Sequence, residues 1–183
     1  MYLSSETKIS LFFDGFFFRY FYPTTYSQLS MQNITIRKAT LNDMETLLHF
    51  EQGVITAERP MDSTLGEDIH YYDLNELITA SHIELLVAEK AGKLFASGYA
   101  RIESAKHYLK HDQYAYLGFM YVTPECRGQG INQLIIDQLK AWSVAQGVTE
   151  LRLDVYETNA GAIRAYQKVG FGKHMISMRM GLE

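Results

Sequence analysis

The chain has 183 residues and a formal net charge of −4, a size that suits one domain with its own hydrophobic core. It carries no basic run of the kind that grips a phosphate backbone, so we do not expect nucleic acid as a partner. Its one cysteine, Cys126, cannot form an internal disulfide, and we predict a cytoplasmic protein.

The first thirty residues differ from the rest because they are rich in aromatic side chains without a helical or alternating pattern. Asp14 and Arg19 interrupt the apolar stretch, which is too short to span a bilayer and lacks a signal-peptide pattern. Three interpretations stay open: an arm packed on the domain or on a second subunit, a weak membrane-surface anchor, or translated sequence ahead of a true start at Met31. We predict an extension over residues 1–30, outside a folded domain over residues 31–183.

The first part of this domain predicts a strand followed by a helix. Residues 34–36 have the apolar pattern of a strand, and Thr40 precedes helical spacing that begins near Met44. We expect Gly53 and Pro60 to bracket a break in that helix. The polar stretch that follows has little periodicity.

The next part predicts a short helix and a β-hairpin. The helix covers residues 74–80, and the two strands cover residues 83–88 and 94–102. Gly92 lies between the strands, where a tight turn needs a glycine.

The most informative stretch joins an apolar strand to a helix through a glycine-bearing loop. Residues 115–122 are almost entirely apolar, as in a strand covered on both faces. Over residues 131–145, apolar residues recur at helical spacing. Between them, Gly128 and Gly130 allow close approach to the backbone. Because the N–H groups at a helix N-terminus bind anions and Arg127 adds a cation, this loop suits a pyrophosphate.

Two common nucleotide-binding motifs do not fit this loop. A Walker A loop ends in Gly-Lys-Ser or Gly-Lys-Thr, whereas this loop ends in Gly130, Ile131 and Asn132. A Rossmann fingerprint needs a third glycine where Gln133 stands.

The loop instead resembles the acetyl-coenzyme A loop of the GCN5-related N-acetyltransferases, the GNAT family, whose pattern is Arg/Gln-x-x-Gly-x-Gly/Ala. Here Asn132 replaces the final small residue, and since Asn is well tolerated at a helix start we expect adjusted rather than lost cofactor contacts. The resemblance implies that the loop binds the pyrophosphate and that the preceding strand end pairs with the pantetheine arm. The residues implied are Tyr121, Val122, Arg127, Gly128, Gln129, Gly130, Ile131 and Asn132.

A second block of sequence strengthens the resemblance. Residues 151–156 alternate as a strand should, and a helical stretch follows. In the family, an Asn at the head of this helix contacts the cofactor, a Tyr seven residues later faces the thioester sulfur, and Gly-Phe ends the helix. Asn159, Tyr166 and the pair Gly170-Phe171 stand at those positions.

The resemblance covers about residues 33–182 and implies an α/β (α+β) three-layer acetyltransferase fold. We expect a mixed central sheet of about six or seven strands with helices on both faces. Alternating apolar residues over 172–182 predict the closing strand.

The implied function is transfer of an acetyl group from acetyl-coenzyme A, as co-substrate, to a primary amine in a ternary complex. The acceptor stays open between a small polyamine-like or amino-sugar compound, an amino acid, and a peptide N-terminus or lysine. A homodimer also stays open. The alternative is a non-catalytic acyl-coenzyme A sensor, because Asn132 departs from the family pattern and residues 114–122 contain no carboxylate.

The chemistry requires a base for the amine, whose pKa is about 10.4 when free, and a proton donor for the leaving thiolate. Many relatives carry a Glu on the strand before the loop. Here Glu51, Glu58 and Glu103 are candidates, and a water relay to the backbone is an equal alternative. The resemblance makes Tyr166 the catalytic acid.

We expect neither a metal site nor a covalent intermediate. His107 and His111 have a spacing that could hold a metal, but no third ligand or accompanying motif exists. Cys126 lies between Glu125 and Arg127, without the neighbouring base that nucleophilic cysteines usually have.

Overall fold

The computed structural model describes residues 33–182, so the predicted extension over residues 1–30 lies outside the described residues. The strands are β1 (Thr35–Lys38), β2 (Ile83–Lys90), β3 (Lys93–Ser104), β4 (Gln113–Val122) and β5 (Leu151–Arg152). The helices are α1 (Met44–Glu58), α2 (Leu74–Thr79), α3 (Ile131–Ala145) and α4 (Ala160–Lys168).

The strands form one mixed sheet in the order β1-β2-β3-β4-β5. The pairs from β1 to β4 are antiparallel, and β4 and β5 are parallel. The predicted hairpin is confirmed as β2 and β3, joined at Ala91 and Gly92, whose φ angles of 50° and 76° suit the turn that matches strand twist. The antiparallel part of the sheet is therefore built from neighbours in sequence.

Helices cover both faces of the sheet, as the sequence predicts. On one face, Leu47 and Phe50 of α1 and Leu77 of α2 pack into one core cluster. On the other face, Ile135 and Leu139 of α3 belong to a second cluster. The three-layer architecture is confirmed, and within residues 33–182 no helix is both long and apolar enough to cross a membrane.

The expected break at Gly53 is wrong, because α1 continues through it to Glu58. Glycine is needed there for packing: a Cβ at this position would lie 2.5 Å from the ring of Tyr121 on β4. Helix α1 does end just before Pro60, which lies in a 3₁₀ turn over Arg59–Met61.

The sheet has five strands in the described part of the chain, fewer than the six or seven expected. β5 pairs with β4 over only two residues, although the alternating pattern extends over residues 151–156. Residues 172–182 form no strand, and Met178 there is 90% exposed. Alternation predicts an extended segment, but a strand also needs a hydrogen-bonding partner, which residues 33–182 do not supply for this segment.

Candidate active site

Strand β4 contains a bulge near its C-terminal end. Ser97 of β3 pairs with Tyr121, but Tyr99 pairs with Gly118, so one residue of β3 lies opposite two of β4. One of these two is Phe119, which has a φ of 54°. A bulky residue adopts this left-handed conformation only when the surrounding structure stabilises it. Inside the core, the Ser97 hydroxyl donates a hydrogen bond of 3.0 Å to the Phe119 carbonyl.

After Tyr116, before the bulge, β4 separates from β5 and leaves a backbone edge open. The two strands pair only at Ala115 with Leu151 and at Tyr116 with Arg152. From residue 117 to residue 122, β4 therefore has a strand partner only on its β3 side. An extended ligand with amide groups can pair with such an edge as an added strand does.

The loop after β4 presents unpaired backbone N–H groups. Gly128 and Gly130 have φ angles of 74° and 80°, and the first backbone hydrogen bonds of α3 are those from Gln133 and Leu134 to the Gly130 carbonyl. Within residues 33–182, no hydrogen bond uses the backbone N–H groups of residues 128–132. Together with the positive end of the helix dipole, these groups form an anion-binding site.

The space above this loop is open, and its side chains have unused polar atoms. A Cβ added at Gly128 or Gly130 would meet no atom within 4 Å. Gln129 Oε1 and Asn132 Oδ1 are buried without hydrogen-bond partners, which in a folded protein marks a place completed by water or a ligand. Arg127 Nε donates to the Val122 carbonyl at 3.0 Å, which holds the guanidinium beside the open edge of β4.

Two of the residues predicted to bind the cofactor can contribute only backbone groups to this surface. Ile131 is buried in the core under α3, and Tyr121 is buried against α1, with its ring centroid 4.9 Å from that of Phe50. The predicted residues 121–132 thus converge on one surface, formed by the open edge and the anion-binding loop.

Helix α4 carries the two remaining predicted residues, Asn159 at its N-cap and Tyr166 near its end. The Asn159 Oδ1 atom accepts a hydrogen bond of 3.1 Å from the Ala162 N–H and so caps the helix. Tyr166 is half-buried and packs edge-on against Phe171, with ring centroids 6.0 Å apart. Burial, and to a smaller extent the charge of Glu58, raises the pKa of Tyr166 to about 12.

Glu58, the last residue of α1, lies among several tyrosines. Burial raises its pKa, and the nearby Tyr71 hydroxyl opposes the shift. That hydroxyl is buried without a hydrogen bond of standard geometry. The Glu58 charge in turn contributes to the raised pKa values of Tyr71, Tyr156 and Tyr166. Glu58 is therefore the candidate carboxylate that is electrostatically coupled to Tyr166.

The other two candidate bases are already engaged. Glu51 is fully buried, and its Oε1 accepts hydrogen bonds from the N–H groups of Tyr71 at 2.6 Å and Tyr72 at 2.9 Å. Its Oε2 lies 2.7 Å from His70 Nδ1. Glu103 accepts hydrogen bonds from an arginine and a tyrosine side chain at 2.6 to 3.1 Å. Glu51 anchors the segment before α2, and Glu103 belongs to a salt-bridged group on the sheet.

A cavity of about 460 Å³ lies between the segment before α2 and the strands β3 and β4. Sequence analysis did not identify this cavity, because its tyrosines lie on three separate segments, although the alternating Tyr114 and Tyr116 on β4 are a visible signal. The Tyr116 hydroxyl donates to Asp154 at 3.2 Å, and burial is the main cause of its raised pKa. The charged lining residues are Asp73, Glu76, Arg101, Glu103 and Asp154.

The residues considered for metal or covalent chemistry are either paired with other side chains or buried. His111 Nε2 is 3.2 Å from a Glu150 oxygen and 3.2 Å from an Arg152 nitrogen. Within the described range, no group of three His, Cys, Asp or Glu side chains is placed to hold a metal ion. Cys126 is buried in the core beneath the loop.

Comparison with known proteins identifies the family of this chain. A family model described as "Acetyltransferase (GNAT) family" matches residues 49–171. The chain is also 40% identical over 55 residues to a thialysine N-epsilon-acetyltransferase of Bos taurus. That match covers 30% of this chain and 32% of the relative, so it spans about a third of the curated relative.

Solved structures share the fold. A variant protein from Bacillus halodurans is similar with a TM-score of 0.73 and 21% identity, over 81% of this chain and 99% of that chain. A predicted acetyltransferase from Clostridium acetobutylicum, solved with acetyl-CoA, is similar with a TM-score of 0.64 and 18% identity, over 81% of this chain and 96% of that chain. At such identities the likeness shows the fold alone.

Proposed function

The chain belongs to the acetyltransferase (GNAT) family, and from that membership we propose that it transfers an acetyl group from acetyl-coenzyme A to a primary amine. The amine nitrogen attacks the thioester carbonyl while both substrates are bound, so the N–C bond forms and the C–S bond breaks. One proton leaves the amine, and one is gained by the thiolate. The observation that carries the proposal is the anion-binding loop of residues 128–132 beside the open edge of β4.

Acetyl-coenzyme A supplies the acetyl group and a stable leaving thiolate, and the loop residues fit its pyrophosphate. The N–H groups of residues 128–132 would donate to the phosphate oxygens, with Arg127 as a cation at the rim. The open edge at Tyr121 and Val122 would pair with the amides of the pantetheine arm. The Asn159 amide nitrogen is not used in capping α4 and would donate to the same ligand.

Asn132 also suits this ligand although the family pattern has a small residue there. Its Oδ1 is buried without a partner at the start of α3. The terminal atoms of a side-chain amide exchange places by rotation, so the donor nitrogen can take that position when an anion is present. We therefore infer that Asn132 adds a donor to the phosphate site.

The acceptor amine would bind in the cavity of about 460 Å³. Four carboxylates and one arginine line it, which favours a cationic ligand, and the volume suits a small amine rather than a folded protein surface. Of the acceptor classes considered from the sequence, a small polyamine-like or amino-sugar compound fits this charge best.

We assign the general base to Glu58. A carboxylate with a raised pKa accepts a proton more readily than an ordinary one, and burial provides that shift here. Glu51 has both oxygens occupied, and Glu103 is held by an arginine. The charge of Glu58 acts on Tyr166 and also on Tyr71, which lines the acceptor cavity, so the base would lie within electrostatic range of both the thiolate donor and the amine.

Tyr166 would stabilise the leaving thiolate by a hydrogen bond. With a pKa of about 12 it is neutral at pH 7 and keeps its donor proton. A thiol has a pKa of about 8.5, so full proton transfer from Tyr166 would be uphill by roughly 5 kcal/mol. The hydroxyl therefore acts chiefly as a hydrogen-bond donor to sulfur, and the thiolate gains its proton from solvent.

The test is thiol release from acetyl-coenzyme A across a panel of primary amines. We expect Tyr166→Phe to lower kcat at least tenfold, about 1.4 kcal/mol of barrier. Tyr108→Phe removes the same hydroxyl at a position that is 67% exposed and outside the cavity, and it should leave kcat unchanged. Full activity of Tyr166→Phe would contradict its assigned role.

The base is tested in the same assay. Glu58→Gln should lower kcat and flatten the acidic limb of its pH profile, whereas Glu45→Gln, on an exposed position of the same helix, should do neither. If the pH profile of kcat is unchanged in Glu58→Gln, Glu58 is not the general base, and a water relay takes that role.

The acyl-coenzyme A sensor remains the second candidate because β4 carries no carboxylate. Tight binding of acetyl-coenzyme A without transfer to any amine would favour the sensor. Absence of binding would contradict both functions.

A further inference from the structure

One buried hydroxyl group binds a backbone carbonyl in the β4 bulge. Ser97 of β3 is fully buried, and its side chain donates a hydrogen bond of 3.0 Å to the Phe119 carbonyl. A bulge locally disrupts the ladder of a sheet, so backbone groups there need hydrogen-bond partners from elsewhere. An apolar side chain at position 97 would leave this buried carbonyl without its side-chain donor.

The two residues that share this peptide are also packed against the core. The ring of Phe119 is buried against Tyr72, with ring centroids 4.6 Å apart. The Met120 sulfur lies close to Gly98 of β3, since a Cβ there would come within 2.6 Å of it. Phe119 belongs to the core cluster under α1 and α2, whereas Met120 packs on the cluster under α3. The peptide that joins them is therefore held from both faces of the sheet.

The direction of the Phe119 carbonyl determines where the next N–H group points. The C=O and N–H of a trans peptide point in opposite directions, and all peptide bonds of residues 33–182 are trans. Because the Phe119 carbonyl accepts a hydrogen bond from Ser97 of β3, the Met120 N–H of the same peptide points away from Ser97. In this stretch, β4 has no strand partner on the side away from β3.

We propose that Ser97 is a positioning residue for acetyl-coenzyme A, because its hydroxyl fixes the Phe119–Met120 peptide with the Met120 N–H directed to the open edge of β4. This role rests on the proposed function, in which the open edge pairs with the amides of the pantetheine arm. Ser97 is buried in the core and acts only through the peptide that it binds. A backbone donor that turns away from the ligand loses its hydrogen bond, and one such bond changes affinity about 5-fold.

Ser143 provides a matched control for the loss of a buried hydroxyl. It is also buried, and its hydroxyl donates a hydrogen bond of 2.8 Å to the Leu139 carbonyl. Both residues belong to α3, and Ser143 lies in the last turn of that helix, at the opposite end from the anion-binding loop. A general effect of losing such a contact should therefore appear in Ser143→Ala as well as in Ser97→Ala.

The experiment measures the binding of coenzyme A and of its nucleotide half to the full chain by calorimetry. The nucleotide half has the pyrophosphate but lacks the pantetheine arm, so its affinity depends on the anion-binding loop and not on the open edge. Ser97→Ala should weaken the binding of coenzyme A at least ~5-fold and leave the binding of the nucleotide half unchanged. Ser143→Ala should leave the binding of both ligands unchanged. Ser97→Cys keeps a weaker donor of similar size and should bind coenzyme A with intermediate affinity.

Circular dichroism and a cooperative thermal transition verify that each variant is folded. If Ser97→Ala binds coenzyme A as the wild-type chain does, the role of Ser97 is overturned and the proposed function is unaffected. Equal weakening of both ligands in Ser97→Ala would also overturn it, because the hydroxyl would then support the whole site and not the open edge. If Ser97→Ala does not fold, Ser97→Cys replaces it, with wild-type affinity for coenzyme A as the contradicting result. A wild-type chain that binds neither ligand would contradict the proposed function and, with it, this role of Ser97.

Discussion

The same substitution in two helices should change stability in opposite directions. Gly53 in α1 packs against Tyr121, and an added Cβ would lie 2.5 Å from the tyrosine ring. Gly161 in the first turn of α4 has only the Asn159 Oδ1 atom near an added Cβ, at 3.8 Å. We predict that Gly53→Ala destabilises the fold and that Gly161→Ala stabilises it.

The magnitudes follow from two opposing terms. Replacing glycine by alanine in a helix gains up to about 1 kcal/mol from backbone conformation alone. At Gly161 that gain is unopposed, so the free energy of unfolding should rise by roughly 0.5 to 1 kcal/mol. At Gly53 the ring of buried Tyr121 must move, and overpacking of this kind costs about 1 to 3 kcal/mol, so a net loss of about 1 kcal/mol is expected.

Urea unfolding of both variants, with the slope m compared with wild type, measures these changes. Tyr121→Leu in the Gly53→Ala background removes the ring and should recover part of the loss, which a double-mutant cycle quantifies. If Gly53→Ala proved more stable than wild type, the close contact between α1 and β4 would be refuted. Because that contact also positions the end of β4, Gly53→Ala should raise the KM for acetyl-coenzyme A as well.

Two further predictions concern buried carboxylates. Hydrogen bonds from Arg37 lower the pKa of Asp43 from 3.8 to about 2, so its stabilisation is present above pH 4 and is lost as the pH falls through 2. Asp43→Asn should therefore cost about 2 kcal/mol at pH 7 and weaken the pH dependence of urea unfolding below pH 4; an unchanged dependence would contradict this. Glu51→Ala should cost roughly 3 kcal/mol because two buried N–H groups lose their acceptor, whereas Glu51→Gln retains an acceptor and should cost much less. Equal unfolding midpoints for the two Glu51 variants would contradict this explanation.

The loop and its helix could be predicted from the sequence because their determinants are local. Gly128 and Gly130 adopt the left-handed backbone that glycine favours, and α3 begins at Ile131, where helical spacing begins. Asn159 lies at the head of α4, where the family resemblance places it. Each of these features depends on residues within one or two turns of the chain, so spacing alone is informative.

The bulge and the different environments of the candidate bases could not be predicted because they depend on contacts between distant segments. Nothing in the apolar run of β4 indicates that Phe119 takes a φ of 54°. Glu51 and Glu58 lie two turns apart on the same helix, yet the carboxylate of Glu51 is bound by the backbone of residues 71–72, whereas the charge of Glu58 acts on Tyr166. The sequence has no local signal that distinguishes them.

The prediction of a closing strand over residues 172–182 was wrong for a related reason. Alternation over residues 172–182 describes which side chains share a face, and it carries no information about what covers that face. The apolar side of the segment has no cover within the described chain. The pattern therefore groups side chains by side without specifying the hydrogen-bonding partner that a strand needs.

The aromatic residues that pack on the bulge also line the cavity that we propose for the acceptor. Tyr72 packs on Phe119 with ring centroids 4.6 Å apart and on Tyr99 at 6.0 Å, and both tyrosines line the cavity. Gly118 makes room for Tyr99, since a Cβ there would lie 2.5 Å from that ring. The aromatic contacts surround Phe119, which lies in the part of β4 that has a strand partner only on its β3 side. From the proposed function we therefore expect that a substitution that reshapes the cavity at Tyr72 or Tyr99 changes the KM of both the acceptor and acetyl-coenzyme A.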